Sequence, residues 1–277
     1  MQIKPLTVYK QGRGQSVVFI HGFVSTHRYW NDVVSVLPSK EVCSTRIDLL
    51  GFGNSPRPKK AKYTANQQVK CIDYSLKQKR VNKPFILVGH SAGAIIAMKY
   101  AKEHPRQVSQ LVLTGVPLIT KDKIEYQTVS LANRPGLLKN QFIFKAVFYG
   151  MHVVSYVPRW FVRAVVRNIP KHIAEDATSH SPIAYRKSLQ NIIYKDEVLD
   201  LIRGIKIPAK IIVGKKDYLT SDAKSLSSVC RRNNKVDIIE TETDHHIPIK
   251  QSKLVADIII DIVRIVRKNN HKKLRSK

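Results

Sequence analysis

The feature that most constrains this chain is the alternation of short apolar runs with stretches of helical periodicity. Six runs each predict a buried strand: "SVVFI" (16–20), "STRIDLL" (44–50), "PFILVGH" (84–90), "QLVLTG" (110–115), "AKIIVG" (209–214) and "VDIIET" (236–241). Several are nearly all apolar, which is typical of parallel strands covered on both faces. Helix candidates lie between or after them, at 65–80, 92–103 and 253–268. The alternation predicts an α/β fold with a doubly wound, mostly parallel sheet.

Residues 121–203 interrupt this alternation. No strand-like run stands out there, and four prolines divide the stretch into short helical pieces, namely Pro135, Pro158, Pro170 and Pro182. We therefore predict a helical cap at 121–203, inserted into a core formed by residues 1–120 and 204–277. A chain of 277 residues that is 43% hydrophobic is long enough to bury a core of that size.

The pentapeptide Gly-His-Ser-Ala-Gly at 89–93 stands between a predicted strand and a predicted helix. A serine on such a sharp turn presents its hydroxyl at the end of the sheet, beside the positive end of the following helix. Gly89 and Gly93 remove the side chains that would collide in the turn. Ser91 is therefore the candidate nucleophile, although a three-position match is only moderate evidence without partners elsewhere in the chain.

A serine hydroxyl becomes a good nucleophile only when a base takes its proton. Two loops that follow predicted strands supply the partners, because Asp217 comes after "AKIIVG" and His245 and His246 come after "VDIIET". The order Ser, Asp, His along the chain is one of the known arrangements of a catalytic triad. Two adjacent histidines cannot both face one serine, and the residue pattern leaves both as candidate bases.

The chemistry also needs hydrogen-bond donors for a developing oxyanion. The segment "HGF" at 21–23 follows a predicted strand, where the backbone N–H of Phe23 can pair with that of Ala92. Both donors are main-chain groups, so neither position demands a particular side chain. The three cysteines, Cys43, Cys71 and Cys230, are too far apart in sequence to form a metal-binding motif. We expect no metal and no organic cofactor.

Together these motifs resemble those of the α/β-hydrolase superfamily. The resemblance is to the branch that has His-Gly after the third strand of the family's fold. The features that carry the resemblance are "HGF" (21–23), "DLLGFGNS" (48–55), "GHSAG" (89–93) and the loops of Asp217 and His245. The resemblance covers about 1–120 and 204–277 and implies the α/β-hydrolase fold. It also implies Asp217 as the triad acid and His245, rather than His246, as the base. Asp244 departs from the family pattern, which has glycine there.

The resemblance implies a serine hydrolase that cleaves a carboxylic ester of a small molecule through an acyl-enzyme intermediate. The apolar, aromatic cap favours a hydrophobic acyl or aromatic group in that ester. Carbon–carbon bond hydrolases and aminopeptidases use the same triad, so both alternatives stay open. Nothing in the sequence indicates an oligomeric state.

The chain is strongly basic, with 48 Lys and Arg against 20 Asp and Glu and a net charge of +28. Such a field attracts polyanions. Within the predicted cap no acid occurs from Tyr126 to Ala174, and Arg159, Arg163 and Arg167 recur at helical spacing. One interpretation is peripheral contact with an anionic membrane surface, and the other is a solvated basic face.

A competing hypothesis from another class is a non-catalytic basic protein that binds membrane or nucleic acid. We do not expect nucleic-acid binding, because no recognised motif accompanies the charge. The N-terminus lacks the apolar stretch of a signal peptide, and no run approaches the ~18–20 apolar residues of a membrane span. We therefore expect a cytoplasmic protein, with peripheral membrane contact under the first interpretation of its charge.

Overall fold

The computed structural model describes residues 3–117, 146, 150–165, 170–195, 198–217, 219–220, 223–231 and 233–275. Within these residues seven strands form one sheet, in the order β1-β3-β2-β4-β5-β6-β7. The strands are β1 (Val8–Gly12), β2 (Gln15–Ile20), β3 (Val42–Ile47), β4 (Phe85–His90), β5 (Val108–Thr114), β6 (Ala209–Gly214) and β7 (Val236–Thr241). Only β1 runs antiparallel to its neighbour, so the predicted doubly wound, mostly parallel sheet is confirmed.

All six predicted strands are present, as β2 to β7. The second predicted strand, β3, begins and ends earlier than predicted, so Asp48 and Leu50 lie in the loop that follows it. The sequence analysis missed β1. This strand lies at the edge of the sheet. Its first two residues are partly buried and the other three, Lys10 and Gln11 among them, are exposed, so it lacks the apolar signature of a buried strand.

Helices cover both faces of the sheet. The described α-helices, including those of the predicted cap, are α1 (Asn31–Val36), α2 (Ala65–Gln78), α3 (Ala92–Glu103), α4 (Arg159–Val165), α5 (Lys171–Asp176), α6 (Pro182–Ser188), α7 (Val198–Arg203), α8 (Ala223–Cys230), α9 (Ile247–Lys250) and α10 (Ser252–Arg275). A 3-10 turn at His27–Trp30 precedes α1. The helix that we predicted at 253–268 continues to Arg275.

The two faces of the sheet carry separate hydrophobic clusters. Alternate side chains of β2 point to opposite faces, so Val18 packs in the cluster with α2 and α3, while Phe19 packs in the cluster with α1 and α10. Both side chains are fully buried. The core therefore lies on both sides of the central strands, and it holds their carboxyl ends, where the loops begin, in fixed positions.

In the described part of 121–203, every regular element is helical. These elements are a 3-10 turn at Met151–Tyr156, the helices α4 to α7, and a π-helical turn at Leu189–Ile193. The only described β contact of this segment is an isolated bridge from His180 to Phe52 in the core. The boundaries of the cap, at 121 and 203, stay predictions.

Among the described helices, none combines the length and the apolar character that crossing a membrane requires. The cytoplasmic location stays a prediction.

Candidate active site

The predicted nucleophile lies on a sharp turn between β4 and α3. Ser91 has φ 53° and ψ −122°, a backbone conformation that L-residues rarely adopt. Its N–H donates a 2.9 Å hydrogen bond to the carbonyl of Thr114 at the end of β5. A Cβ atom on Gly93 would lie 2.5 Å from the carbonyl oxygens of Ile20 and His21, so only glycine fits there. The turn brings the serine to the carboxyl edge of the sheet.

The loop after β2 lies directly against this turn. A Cβ atom on Gly22 would be 3.1 Å from the Cβ atom of Ser91. Among the described residues, none accepts a hydrogen bond from the N–H of Phe23 or of Ala92. The two predicted oxyanion donors are therefore uncommitted main-chain groups on segments that touch Ser91.

Asp217 and His245 come together at the ends of β6 and β7. The Nδ1 atom of His245 lies 2.9 Å from Oδ2 of Asp217. The carboxylate is buried, and 13% of the histidine side chain is exposed. Because the carboxylate accepts a hydrogen bond from Nδ1–H, the lone pair of His245 lies on Nε2, which is the form that a general base needs.

Other donors hold the Asp217 carboxylate in its charged form. Its oxygens accept 2.8 Å and 2.5 Å hydrogen bonds from the N–H of Leu219 and the hydroxyl of Thr220. Burial by itself raises the pKa of Asp217, but the nearby His245 and these two donors outweigh it and keep the pKa below its ordinary value. The carboxylate therefore stays ionised beside the imidazole.

The end of β5 connects the serine to the histidine. The carbonyl of Thr114 accepts a hydrogen bond from the Ser91 N–H. A Cβ atom on the next residue, Gly115, would lie 3.1 Å from the His245 ring. Among the described contacts, no hydrogen bond joins Ser91 to His245. Bonds of this kind are often long in free enzymes and shorten in the substrate complex. The structure thus joins the predicted acid to the predicted base by a hydrogen bond, and the end of β5 contacts both the turn of Ser91 and the ring of His245.

His246 takes a different position from His245. Its Nδ1 atom lies 3.3 Å from the hydroxyl of Tyr29, which also lies 3.0 Å from Nε2 of His90. Nδ1 of His90 in turn lies 3.0 Å from the hydroxyl of Thr114. Burial lowers the pKa of His246 to about 4 and that of His90 well below its ordinary value, so both are neutral at pH 7.

These contacts form a buried network behind the His245 ring, whose centroid is 4.7 Å from that of His90. The sequence analysis did not single out Tyr29 or Thr114, because neither belongs to a motif.

Asp244, which departs from the family pattern, stabilises the turn before α9 through its side chain. Its carboxylate accepts hydrogen bonds from the N–H of His246, at 3.1 Å, and from Lys250, at 2.5 Å. Asp244 is not among the described residues with positive φ, so this position does not require glycine. The lysine balances the charge of Asp244.

An apolar wall lies next to the loop of the predicted oxyanion donors. The ring of Phe23 stacks on Phe52 with centroids 5.5 Å apart and meets Tyr185 of α6 edge-on at 6.0 Å. The Phe52 loop is held by Asp48, whose carboxylate accepts hydrogen bonds from the N–H groups of His27 and Asn54. The "DLLGFGNS" segment is therefore a structural loop that buries the Phe52 ring behind Phe23.

Two further predictions concern residues away from the triad. The side chains of Arg163 and Arg167, two of the three arginines at helical spacing, lie outside the described residues, and only Arg159 of that set is described. In the described ranges, no group of three or more histidine, cysteine or acidic side chains has the arrangement of a metal site.

Comparison with known proteins gives the same fold. The family model described as "alpha/beta hydrolase fold" matches residues 15–252. A Bos taurus protein named monoacylglycerol lipase ABHD6 is 27% identical over 96% of this chain and 80% of its own length. A crystal structure of an esterase from Exiguobacterium antarcticum superposes with a TM-score of 0.70 and 18% identity, covering 94% of this chain and 95% of that one.

Higher identity is confined to a shorter segment. An Arabidopsis thaliana protein named probable lysophospholipase BODYGUARD 3 is 37% identical over 108 residues, which are 37% of this chain. The match spans only 21% of that protein's length.

Proposed function

This chain belongs to the alpha/beta hydrolase fold family, and we propose that it is a hydrolase that cleaves a carboxylic ester through an acyl-enzyme intermediate. The observation that carries the proposal is the hydrogen bond of His245 to the buried Asp217, next to the strained turn of Ser91. A strained serine turn, a histidine and a fixed carboxylate at one sheet edge are the parts that acyl transfer requires.

In the first half of the reaction, Ser91 Oγ attacks the ester carbonyl carbon while Nε2 of His245 takes the hydroxyl proton. Asp217 keeps the ring in the required tautomer and stabilises the imidazolium that forms. The carbonyl oxygen becomes an oxyanion and accepts hydrogen bonds from the N–H groups of Phe23 and Ala92. The imidazolium then gives its proton to the departing alcohol, and the acyl group stays on Ser91.

In the second half, water replaces the alcohol. His245 takes a proton from the water, whose oxygen attacks the acyl carbon and forms a second oxyanion in the same site. When this intermediate collapses, the bond to Ser91 Oγ breaks and His245 returns the proton to the serine. The products are a carboxylic acid and the free enzyme.

The surroundings of the site support an ester with a hydrophobic acyl or aromatic group. Phe23 is partly exposed and packs against the buried rings of Phe52 and Tyr185, so it offers an apolar contact beside the oxyanion donors. An apolar chain gains free energy when such side chains remove it from water. The names of the relatives, a monoacylglycerol lipase and a probable lysophospholipase, point to the same class of substrate.

The experiment is a kcat/KM series on p-nitrophenyl esters of increasing acyl length, from acetate to laurate. We expect the value to rise with chain length and Ser91→Ala to lose about 10⁴-fold or more of kcat. Ser228→Ala, which removes an exposed hydroxyl on α8, is the matched control and keeps the wild-type rate. Full activity in Ser91→Ala would contradict the mechanism, and activity on acetate alone would contradict the hydrophobic acyl group.

A further inference from the structure

We propose that the cap binds an anionic phospholipid surface through a patch of exposed apolar side chains. This cap patch consists of Val153, Tyr156, Trp160 and Phe161, whose exposed fractions are 49%, 75%, 71% and 48%. The four residues lie within nine positions of the chain. Clustered apolar exposure of this kind marks an interaction surface more often than scattered single residues do.

The residues next to the cap patch are anchored inward, which holds the patch outward. Val162 is only 8% exposed, and Met151 packs against the main hydrophobic cluster. The N–H groups of Phe161 and Val162 both donate to the carbonyl of Pro158, so the first turn of α4 is fixed. Trp160 and Phe161 therefore face solvent on a backbone that is ordered before a surface covers them, which lowers the entropy cost of binding.

The charge around the cap patch selects an anionic partner. The segment from Tyr126 to Ala174 contains no acid, and the chain as a whole carries +28. Arg159, on α4, and Lys171, at the start of α5, are both exposed. Basic residues near an anionic bilayer add to the binding, while tryptophan and tyrosine prefer the depth of the lipid headgroups. Val153 has no role in base stacking or in phosphate contacts, so the patch fits a lipid surface better than a nucleic acid.

The cap patch also lies close to the candidate active site. The 3-10 turn that carries Val153 and Tyr156 packs on α6, and Tyr185 of α6 contacts Phe23 in the loop of the oxyanion donors. One helix therefore separates the proposed lipid contact from the site. The binding itself does not depend on the chemistry at Ser91, so it can be tested apart from hydrolysis.

Tryptophan fluorescence gives a direct readout, because the chain has only two tryptophans. Trp30 is fully buried and Trp160 is 71% exposed, so a change on adding vesicles reports Trp160. With phosphatidylglycerol vesicles we expect a blue shift of the emission and co-sedimentation of the protein, both weakened by salt. Trp160→Phe keeps the binding and abolishes the shift.

The double variant Trp160→Ser/Phe161→Ser tests the contribution of the patch. We expect it to lose at least about tenfold in vesicle affinity, since two large apolar side chains no longer leave water. Tyr74→Ser is the matched control. It removes an exposed aromatic side chain from α2, outside the cap, and binds like the wild type. Ser91→Ala also binds like the wild type.

Four results would overturn the proposal. They are no binding of the wild type to phosphatidylglycerol vesicles, wild-type affinity in the double variant, equal binding to phosphatidylcholine vesicles, and the same Trp160 shift with a single-stranded oligonucleotide.

Discussion

At the scale of single residues, Asp217 determines which nitrogen of His245 carries the proton. The carboxylate is buried and accepts a hydrogen bond from Nδ1–H, so the lone pair of the ring lies on Nε2. An asparagine would present an amide that favours the wrong tautomer. We therefore expect Asp217→Asn to reduce kcat about 10⁴-fold with little change in ester binding, measured by steady-state kinetics.

Asp244→Asn is the control for this loss. Its carboxylate bonds to Lys250 and the His246 N–H, so we expect less than about tenfold loss of kcat, in line with a peripheral contact. Similar rates for the two variants would refute the role of Asp217.

The sequence indicates the candidate triad residues because each follows a recognisable strand or lies in a motif. It did not predict the buried hydrogen-bond network that packs behind His245. Tyr29 reaches His246 across 217 residues of sequence, and the hydroxyl of Thr114 contacts His90 from the neighbouring strand. Such contacts depend on how distant segments pack, and no local pattern encodes them.

At the scale of elements, the turn from β4 to α3 requires glycine at position 93, two residues after Ser91. The nearest neighbours of a Cβ atom on Gly93 are backbone carbonyls of β2 and the next loop, which cannot rotate away. We expect Gly93→Ala to lower the free energy of unfolding by about 2–3 kcal/mol and to reduce activity, because the serine shifts. Urea denaturation measures the first effect.

Gly150 offers a matched control, since a Cβ atom there meets nothing within 4 Å and its φ is −67°. Gly150→Ala should change stability by less than about 0.5 kcal/mol. Equal losses in the two variants would show that the close packing of the turn is not the cause.

The strands and helices show which elements a sequence pattern can predict. The central strands were predicted because they are buried on both faces, and the two late strands β6 and β7 match residue for residue. The edge strand β1 was missed because its exposed, polar residues resemble a loop. The described cap helices are short, and their packing on the core has no signature in the sequence.

At the scale of the whole molecule, one buried carboxylate links the cap to the core. Asp176 of α5 accepts a 2.6 Å hydrogen bond from Thr26 and forms a salt bridge with Arg28, both of which lie beside the loop of the oxyanion donors. Asp176→Ala leaves the guanidinium without this partner. Since 35% of the arginine side chain is in solvent, we expect a loss of about 2 kcal/mol in unfolding free energy.

The comparison for this loss is Asp261→Ala, which removes a pair between two exposed side chains on α10. Chemical denaturation should show a change below about 0.5 kcal/mol there. If Asp176→Ala were equally mild, the proposed link would not stabilise the fold.

Stability should also depend on pH through buried neutral histidines. Burial lowers the pKa of His180 to about 4, and the same holds for His246, against an ordinary value of 6.5. Between these values the unfolded chain binds protons that the folded chain does not, so stability is full above pH 6.5 and falls toward pH 4. Each histidine contributes at most about 3 kcal/mol to this fall.

His180→Gln should flatten the dependence, measured as the difference in unfolding free energy between pH 7 and pH 4.5. An unchanged difference would mean that His180 takes up its proton without unfolding.

The central claim is that Ser91 is an activated nucleophile, and covalent labelling tests it most directly. A fluorophosphonate probe reacts with an activated serine hydroxyl, and peptide mass spectrometry then locates the adduct. We expect one adduct per chain, on the peptide that contains Ser91, with none in Ser91→Ala and a much slower reaction in Asp217→Asn. Equal labelling of Ser91→Ala, or no labelling of the folded wild type, would contradict it.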